Sequence, residues 1–329
     1  MNWKNKNVLL TGAGGFIGSH LAERLVYLGA NLKAFVRYNS RNDCGQLEYL
    51  PDNIRSKFTI IAGDLRDPDA IRKVVKDTDI IFHLGSLIAI PYSYVHPMEV
   101  IDTNIVGTTN ILMAAKDNEV EKIIHTSTSE VYGTARYVPI DEKHPLQGQS
   151  PYSASKIGAD MIAYSFYTSF ELPVAIIRPF NTYGPRQSTR AVIPTIITQA
   201  LTKKVIQLGS LHPTRDLTFI ADTIEGFIKI AEKEKSIGEV INIGSGFEIS
   251  IGDLAEKIVR LTQSKITIKI DKKRIRPKDS EVERLLADAT KARKMLSWQP
   301  EVNLDSGLKK TIKWISDHID DYKVGMYTI

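Results

Sequence analysis

The stretch Val8-Leu-Leu-Thr-Gly-Ala-Gly-Gly-Phe-Ile-Gly18 sets Gly12, Gly15 and Gly18 between an apolar run and an amphipathic one. Glycine allows a tight turn and lets backbone amides close on an anion, and a helix N-terminus adds the positive end of its dipole. A glycine triplet alone is weak evidence. Placed after a strand and before a helix, it reads as a dinucleotide pyrophosphate loop rather than a merely tight turn. The residues expected to line that cradle are Gly12, Gly15, Phe16, Ile17 and Gly18.

Outward from the loop, short apolar runs alternate with helical patterns. The runs are NVLL at 7–10, LKAFV at 32–36, FTIIAG at 58–63, DIIFHLG at 79–85, KIIHTS at 122–127 and VAIIRP at 174–179. Amphipathic stretches at 19–28 and 70–76 lie between them. The runs are continuous in hydrophobicity rather than alternating, which argues for a parallel sheet covered on both faces. The expected class is therefore a doubly wound α/β fold with a second, smaller lobe. After Gly184-Pro185 the pattern becomes helix-rich, with helices expected at 193–201 and 223–232. We expect a dinucleotide-binding unit over 1–180 and a smaller lobe over 181–329, with EVINIGSG at 239–246 returning to the first sheet.

Composition bounds the rest. A chain of 329 residues, 43% hydrophobic, can bury a large core. A net charge of +5 spread along the sequence points to small anionic ligands and gives weak support to nucleic-acid or membrane partners, neither of which is expected. The single cysteine, Cys44, excludes an internal disulfide framework. The N-terminus reads as neither a signal peptide nor a spanning helix, so a reducing cytoplasm is the simplest compartment. No metal is expected.

The fingerprint usually carries an acid about 20 residues on, for a ribose hydroxyl. Here β-type sequence ends instead in Val36-Arg37-Tyr-Asn-Ser40-Arg41, and a guanidinium favours a 2′-phosphate, so NADP is read ahead of NAD. Asp64 in AGDLRD, followed by Leu65, stands at the end of the third run. It suits a hydrogen bond to an adenine amino group, or a helix cap.

Two further stretches carry chemistry. Tyr152-Ser-Ala-Ser-Lys156 puts a phenol and an ammonium four residues apart on one helical face. A nearby positive charge lowers a tyrosine's pKa and makes it a usable base. In Ser127-Thr128-Ser129-Glu130, strand alternation would aim Thr128 and Glu130 to the same side if the extended conformation persists. Glu130 otherwise reads as a surface carboxylate or a helix-dipole partner.

With these residues in view, the chain resembles the extended short-chain dehydrogenase/reductase family, in its nucleotide-sugar-modifying branch. The resemblance covers nearly the whole chain. TGAGGFIGS, the Asp64 turn, Asn104 in DTNIVGTTN, STSEVYG, PYSASK, RPFNTYGP and the Arg215-Asp216 pair carry it. It implies that Tyr152 takes the proton from a sugar O4 while C4 gives its hydride to a nicotinamide. Lys156 also holds the nicotinamide ribose, and Thr128 bonds O4. Once C4 is a ketone the C5 proton is acidic, and the Thr-Ser-Glu pattern of sugar 4,6-dehydratases implies Glu130 as its base. With serine in the middle position, Glu130 also returns a proton to the departing O6.

The nearest pattern is that of legionaminic-acid-pathway 4,6-dehydratases, implying a UDP- or GDP-activated N-acetylglucosamine substrate. UDP-glucuronate decarboxylases and GDP-mannose 4,6-dehydratases share Thr-Ser-Glu, while 4-epimerases carry small residues at the Glu130 position. A non-catalytic NADP-binding sensor is the alternative outside enzymes. By the same resemblance, Asn181, Arg215 and Arg276 meet the substrate diphosphate, an arginine fork suiting paired phosphate contacts. Glu281 reaches the nucleotide ribose, or is a helix N-terminal acid. Ser86 and Ser93 lie where the chain passes nicotinamide and sugar, or simply pack. Lys272-Lys273-Arg274 reads as a solvated loop face. Stretches 103–116 and 152–170 imply a homodimer through a four-helix bundle.

Overall fold

The computed structural model describes residues 1–324. Six strands follow the apolar runs: β1 (Asn7–Thr11), β2 (Asn31–Arg37), β3 (Phe58–Gly63), β4 (Ile80–His83), β5 (Lys122–Thr126) and β6 (Val174–Pro179). The chain then forms β7 (Asn181–Tyr183), β8 (Val205–Leu208) and β9 (Thr214–Phe219) before β10 (Val240–Ile243) comes back beside β6. Two short strands, β11 (Glu248–Ser250) and β12 (Thr267–Ile270), complete the set.

The main sheet has the order β10-β6-β5-β4-β1-β2-β3 and is parallel at every junction. The order reverses between β1 and β4, the kind of switch point where open α/β sheets bind ligands beyond the strands' C-terminal ends. Helices on both faces account for the unbroken hydrophobicity. Val8, Leu9 and Leu10 are all fully buried, with Leu9 in one apolar layer and its two neighbours in the other. Each such side chain contributes about 1.5–3 kcal/mol when taken out of water. Smaller sheets, β11-β9-β7 and β12-β8, lie in the chain that follows β6.

The helices form where the periodicity places them: Phe16–Tyr27, Pro68–Val75, Pro151–Phe170, Val192–Thr202 and Ile220–Glu232. The 103–116 stretch differs. Its first turn, Asp102–Val106, is a π-type widening, and only Gly107–Asp117 is regular α-helix. π-Bulges cluster at functional sites because they re-aim a side chain. The re-aimed residue here is Asn104, whose amide accepts from Leu87 N–H at 2.7 Å and donates to Leu87 O at 3.0 Å and Ser155 Oγ at 2.9 Å. It braces the loop after β4 against the Pro151–Phe170 helix. No helix among the described residues is long and apolar enough to cross a membrane.

Candidate active site

The glycine loop is shaped by its backbone. Gly12 has φ +70°, and a Cβ there would meet Gly85 N at 2.8 Å; a Cβ on Gly18 would stand 2.2 Å from Gly12 O. The turn therefore closes only with glycine at both places. The helix Phe16–Tyr27 starts after Gly15 without a side-chain cap, so its first amides are offered to a ligand. Phe16 and Ile17 occupy its first turn, half-buried. Gly14, a position the triplet pattern ignores, would bring a Cβ to 2.7 Å from Cys44 O, and its carbonyl accepts from Gln46 N–H at 2.9 Å. The loop after β2 thus packs directly onto the glycine turn.

Arg37 ends β2 with its side chain 62% exposed and its Nη2 3.1 Å from Glu99 Oε1, while the Tyr92 hydroxyl donates to Glu99 Oε2. Asp64 follows β3, its carboxylate clasped by Arg66 at 2.6 Å, and that bond holds it below the usual carboxylate range. The helix cap beyond it is Asp67, not Asp64. Leu65 is buried against the glycines Gly85 and Gly107. Ser86 lies half-buried in the loop after β4. Ser93 is spent on a backbone bond to Ile90 O at 2.7 Å, so it packs.

The extended conformation after β5 does not persist to Glu130, contrary to the alternation argument. It ends at Thr128, and Ser129–Tyr132 is a 3-10 turn, with the Thr128 hydroxyl accepting from Glu130 N–H at 3.2 Å. The turn still delivers the carboxylate inward. Glu130 is buried, its charge acts on Tyr152 and Arg215, and it lines a cavity of about 260 Å³.

Tyr152 and Lys156 sit on the Pro151–Phe170 helix, begun by a Ser150–Ser153 capping box. Here a second expectation fails. Burial pushes the Tyr152 phenol well up, the Thr128 hydroxyl offsets this in part, and the Glu130 carboxylate adds to the rise. The reason lies in where Lys156 points: its Nζ donates to Thr126 O at 2.7 Å. Burial lowers Lys156 itself to about 8, opposed by Asp160.

The cavity is walled by four arginines, Arg190, Arg215, Arg274 and Arg276, with Glu130 and Glu281 the acidic members. Arg215 on β9 is buried, and Nη1 donates to Thr214 O at 2.9 Å. Glu281 lies between Arg215 at 3.3 Å and Arg276 at 3.6 Å. It follows the 3-10 turn Lys278–Ser280 rather than opening a helix, which removes the helix-terminal reading. Asn181 begins β7 at the same cavity, its Oδ1 buried without a protein partner. Lys272 and Lys273 are exposed, but Arg274 turns in to the cavity wall, so the solvated-face reading fails for that residue. Sequence reasoning also missed Arg190; nothing in the spacing marks it. The structure thus brings Glu130, Asn181, Arg215, Arg276 and Glu281 together, with Thr128 and Tyr152 at the Glu130 end, while Arg37 and Asp64 stand at the β2 and β3 ends.

A glycine-closed strand-to-helix turn, a Tyr–Lys pair on the helix beside β5 and a seven-stranded parallel sheet match the Rossmann-like fold of short-chain dehydrogenases/reductases. A family model described as GDP-mannose 4,6 dehydratase matches residues 9–311. The chain belongs to that family, the dehydratase and epimerase branch of the extended short-chain dehydrogenases/reductases, and is an enzyme of it. It is 32% identical to the human dTDP-D-glucose 4,6-dehydratase, across 97% of this chain and 92% of that one. It is 33% identical to the UDP-N-acetyl-alpha-D-glucosaminuronate decarboxylase of Bacillus cytotoxicus, across 96% and 99%. Among solved structures, the UDP-glucuronic acid 4-epimerase of Bacillus cereus, in complex with UDP-glucuronic acid and NAD, superposes with a TM-score of 0.86 at 29% identity, covering 95% of this chain and 99% of that one.

Proposed function

We propose that the protein is a nucleotide-sugar 4,6-dehydratase, converting a UDP- or GDP-linked N-acetylglucosamine to its 4-keto-6-deoxy derivative. The observation that carries this reading is the buried carboxylate of Glu130 beside Tyr152 on the wall of the arginine-lined cavity. An epimerase has no use for a second base there, whereas elimination across C5–C6 needs one.

A nicotinamide cofactor supplies hydride acceptance from sugar C4 and its return at C6. The uncapped helix start and the two glycines that exclude a Cβ fit its pyrophosphate. Arg37 at the end of β2 supports NADP ahead of NAD, and Asp64 would receive the adenine amino group. The chain's own groups do the rest. Thr128 and Tyr152 bond O4, and Tyr152 takes its proton when positive charge is brought beside the phenol. Lys156, one helical turn on, is the cation in reach, and it holds the nicotinamide ribose. Glu130 removes the C5 proton and passes it to O6, so one water leaves, and the proton that Tyr152 took from O4 goes to C5 when C6 is reduced. Ser86 would flank the sugar.

Asn181, Arg215 and Arg276 are assigned to the diphosphate. Glu281, which steadies both arginines, is assigned to the nucleotide ribose. Arg190, Arg215 and Arg276, with Arg274 paired to Asp271 at 3.4 Å, outnumber Glu130 and Glu281 on the cavity wall, which suits an anionic diphosphate. The same proposal includes the division near residue 180, a cytoplasmic setting, and a homodimer through the faces carrying exposed Val106, Met113, Met161, Tyr164 and Phe170.

The test is incubation with a panel of UDP-, GDP- and dTDP-sugars and weighing of the products. Loss of water from an N-acetylglucosamine donor is expected. Loss of carbon dioxide would assign a decarboxylase, and an isobaric product an epimerase. Glu130→Gln is expected to stop water loss while keeping the cofactor, whose mass after denaturation separates NADP from NAD.

A further inference from the structure

Beneath the Tyr–Lys pair lies a second polar cluster that the proposed reaction does not use. Asp160 is fully buried one helical turn after Lys156, and donors converge on it from three directions. Ser127 Oγ reaches Oδ2 at 2.6 Å from the end of β5, and His125 Nε2 lies 3.1 Å from Oδ1 on the same strand. From β6, Arg178 contacts Oδ2 with Nη2 at 2.9 Å and Nε at 3.2 Å. Arg178 Nη1 continues to the Tyr132 hydroxyl at 3.0 Å, and Tyr132 donates to Asn242 Oδ1 on β10 at 2.7 Å. Tyr132 closes the 3-10 turn that carries Glu130. One carboxylate therefore ties the catalytic helix, the β5 end, β6, β10 and the Glu130 turn.

We propose that Asp160 is a positioning residue, which locks these elements in register and supplies the buried counter-charge of the Lys156 ammonium. Among the described residues, Asp160 is the charge that opposes the burial of Lys156, whose Nζ is otherwise held by the Thr126 carbonyl. Burial, and the Lys156 charge itself, hold His83 on β4 and His125 on β5 below their ordinary range, so both are neutral near pH 7. Arg178 on β6 is a cation, and Tyr152 on the same helix is a neutral phenol. Asp160 stays an anion, because hydrogen bonds from His125 and Ser127 and the Arg178 charge outweigh its burial. In a low-dielectric interior an opposite charge one turn away favours the charged form strongly. The inference rests on assigning Lys156 to the reactive pair, but its test needs no substrate.

The full-length protein is labelled with [13Cε]lysine, the Lys156 resonance is assigned by its loss in Lys156→Arg, and its midpoint is followed by NMR against pH. Asp160→Asn is expected to lower that midpoint by about one pH unit or more, the scale of removing a near opposite charge. Ser127→Ala, which deletes one hydrogen bond and keeps the charge, is expected to leave it unmoved. Where Asp160→Asn fails to fold because Arg178 is left buried and unpaired, the double variant Asp160→Asn/Arg178→Met is read against Arg178→Met alone, so that only the Asp160 charge differs, and its midpoint is expected to lie lower than that of its parent. An unchanged midpoint in a folded Asp160 variant, or an equal fall in Ser127→Ala, overturns the proposal. Failure of the sugar-panel experiment with the expected NMR shift intact would instead count against the reaction alone.

Discussion

Replacing Gly18 by alanine tests the reading of the glycine turn more sharply than any change to a charged residue. An ideal Cβ at Gly18 stands 2.2 Å from Gly12 O and 2.9 Å from Ala13 Cα. An ordinary contact begins at 3.4 Å, so the Gly12 carbonyl or the helix start must yield by about 1.2 Å. The obstacle is backbone on both sides, and Gly12 is itself closely packed against the Leu84–Gly85 backbone, where an added Cβ would come to 2.8 Å from Gly85 N. On the proposed assignment of this turn to the cofactor pyrophosphate, a shift of this size would withdraw at least one amide from it. A hydrogen bond to a charged group contributes roughly 1.5–3 kcal/mol, so dinucleotide affinity should fall on the order of ten- to a hundred-fold. Gly15→Ala is the internal control: its Cβ would meet the same carbonyl at 3.1 Å, a conflict of a few tenths of an ångström. That variant should bind within a few-fold of wild type. Calorimetric titration with NAD and NADP, with circular dichroism to confirm the fold, reads both. Wild-type affinity in a folded Gly18→Ala, or equal damage from the two substitutions, would show that the helix start is not the pyrophosphate site.

Two further outcomes follow from groups around the site. His20, with Nε2 3.0 Å from Pro185 O, is lowered from 6.5 to about 4, chiefly by burial and also by the Arg186 charge. Between pH 6.5 and 4 the unfolded chain binds a proton that the folded chain refuses, so stability drops as pH falls through that window. The loss at pH 5 relative to pH 7.5 is about 2 kcal/mol; urea midpoints should show His20→Gln losing less over this interval, and parallel losses would remove His20 as the cause. Arg276→Ala should raise KM for the nucleotide sugar roughly ten-fold, the loss of one charged hydrogen bond, with cofactor affinity unchanged. An unaltered KM would place the diphosphate elsewhere.

The parallel strands were legible because burial on both faces leaves no room for polar interruption, and KIIHTS and VAIIRP became β5 and β6 within a residue. The glycine turn and the Tyr–Lys pair were legible because each is local. What sequence did not show depends on geometry between distant segments. Strand alternation misjudged Glu130, since the Thr128 hydroxyl caps a 3-10 turn that alternation cannot foresee. The expected softening of Tyr152 ignored that Lys156 has a backbone carbonyl of β5 as its partner. Asp160 drew no notice: its partners are 18, 33 and 35 residues away, on two strands and a loop. Arg274 looked like one of three solvated cations, and only the fold of its loop separates it from Lys272 and Lys273.

The return of β10 to the edge of β6 bears on any exchange of sugar selectivity between relatives. Asn242 on that strand receives the Tyr132 hydroxyl and donates to Ile140 O at 3.1 Å, while its own N–H is held by Glu142 at 2.8 Å. A chimera spliced once near residue 180 would import a foreign edge strand and sever those bonds at a stroke. A workable graft needs two seams, one on each side of 240–243, so that the host keeps its own final strand and only the flanking segments change parentage.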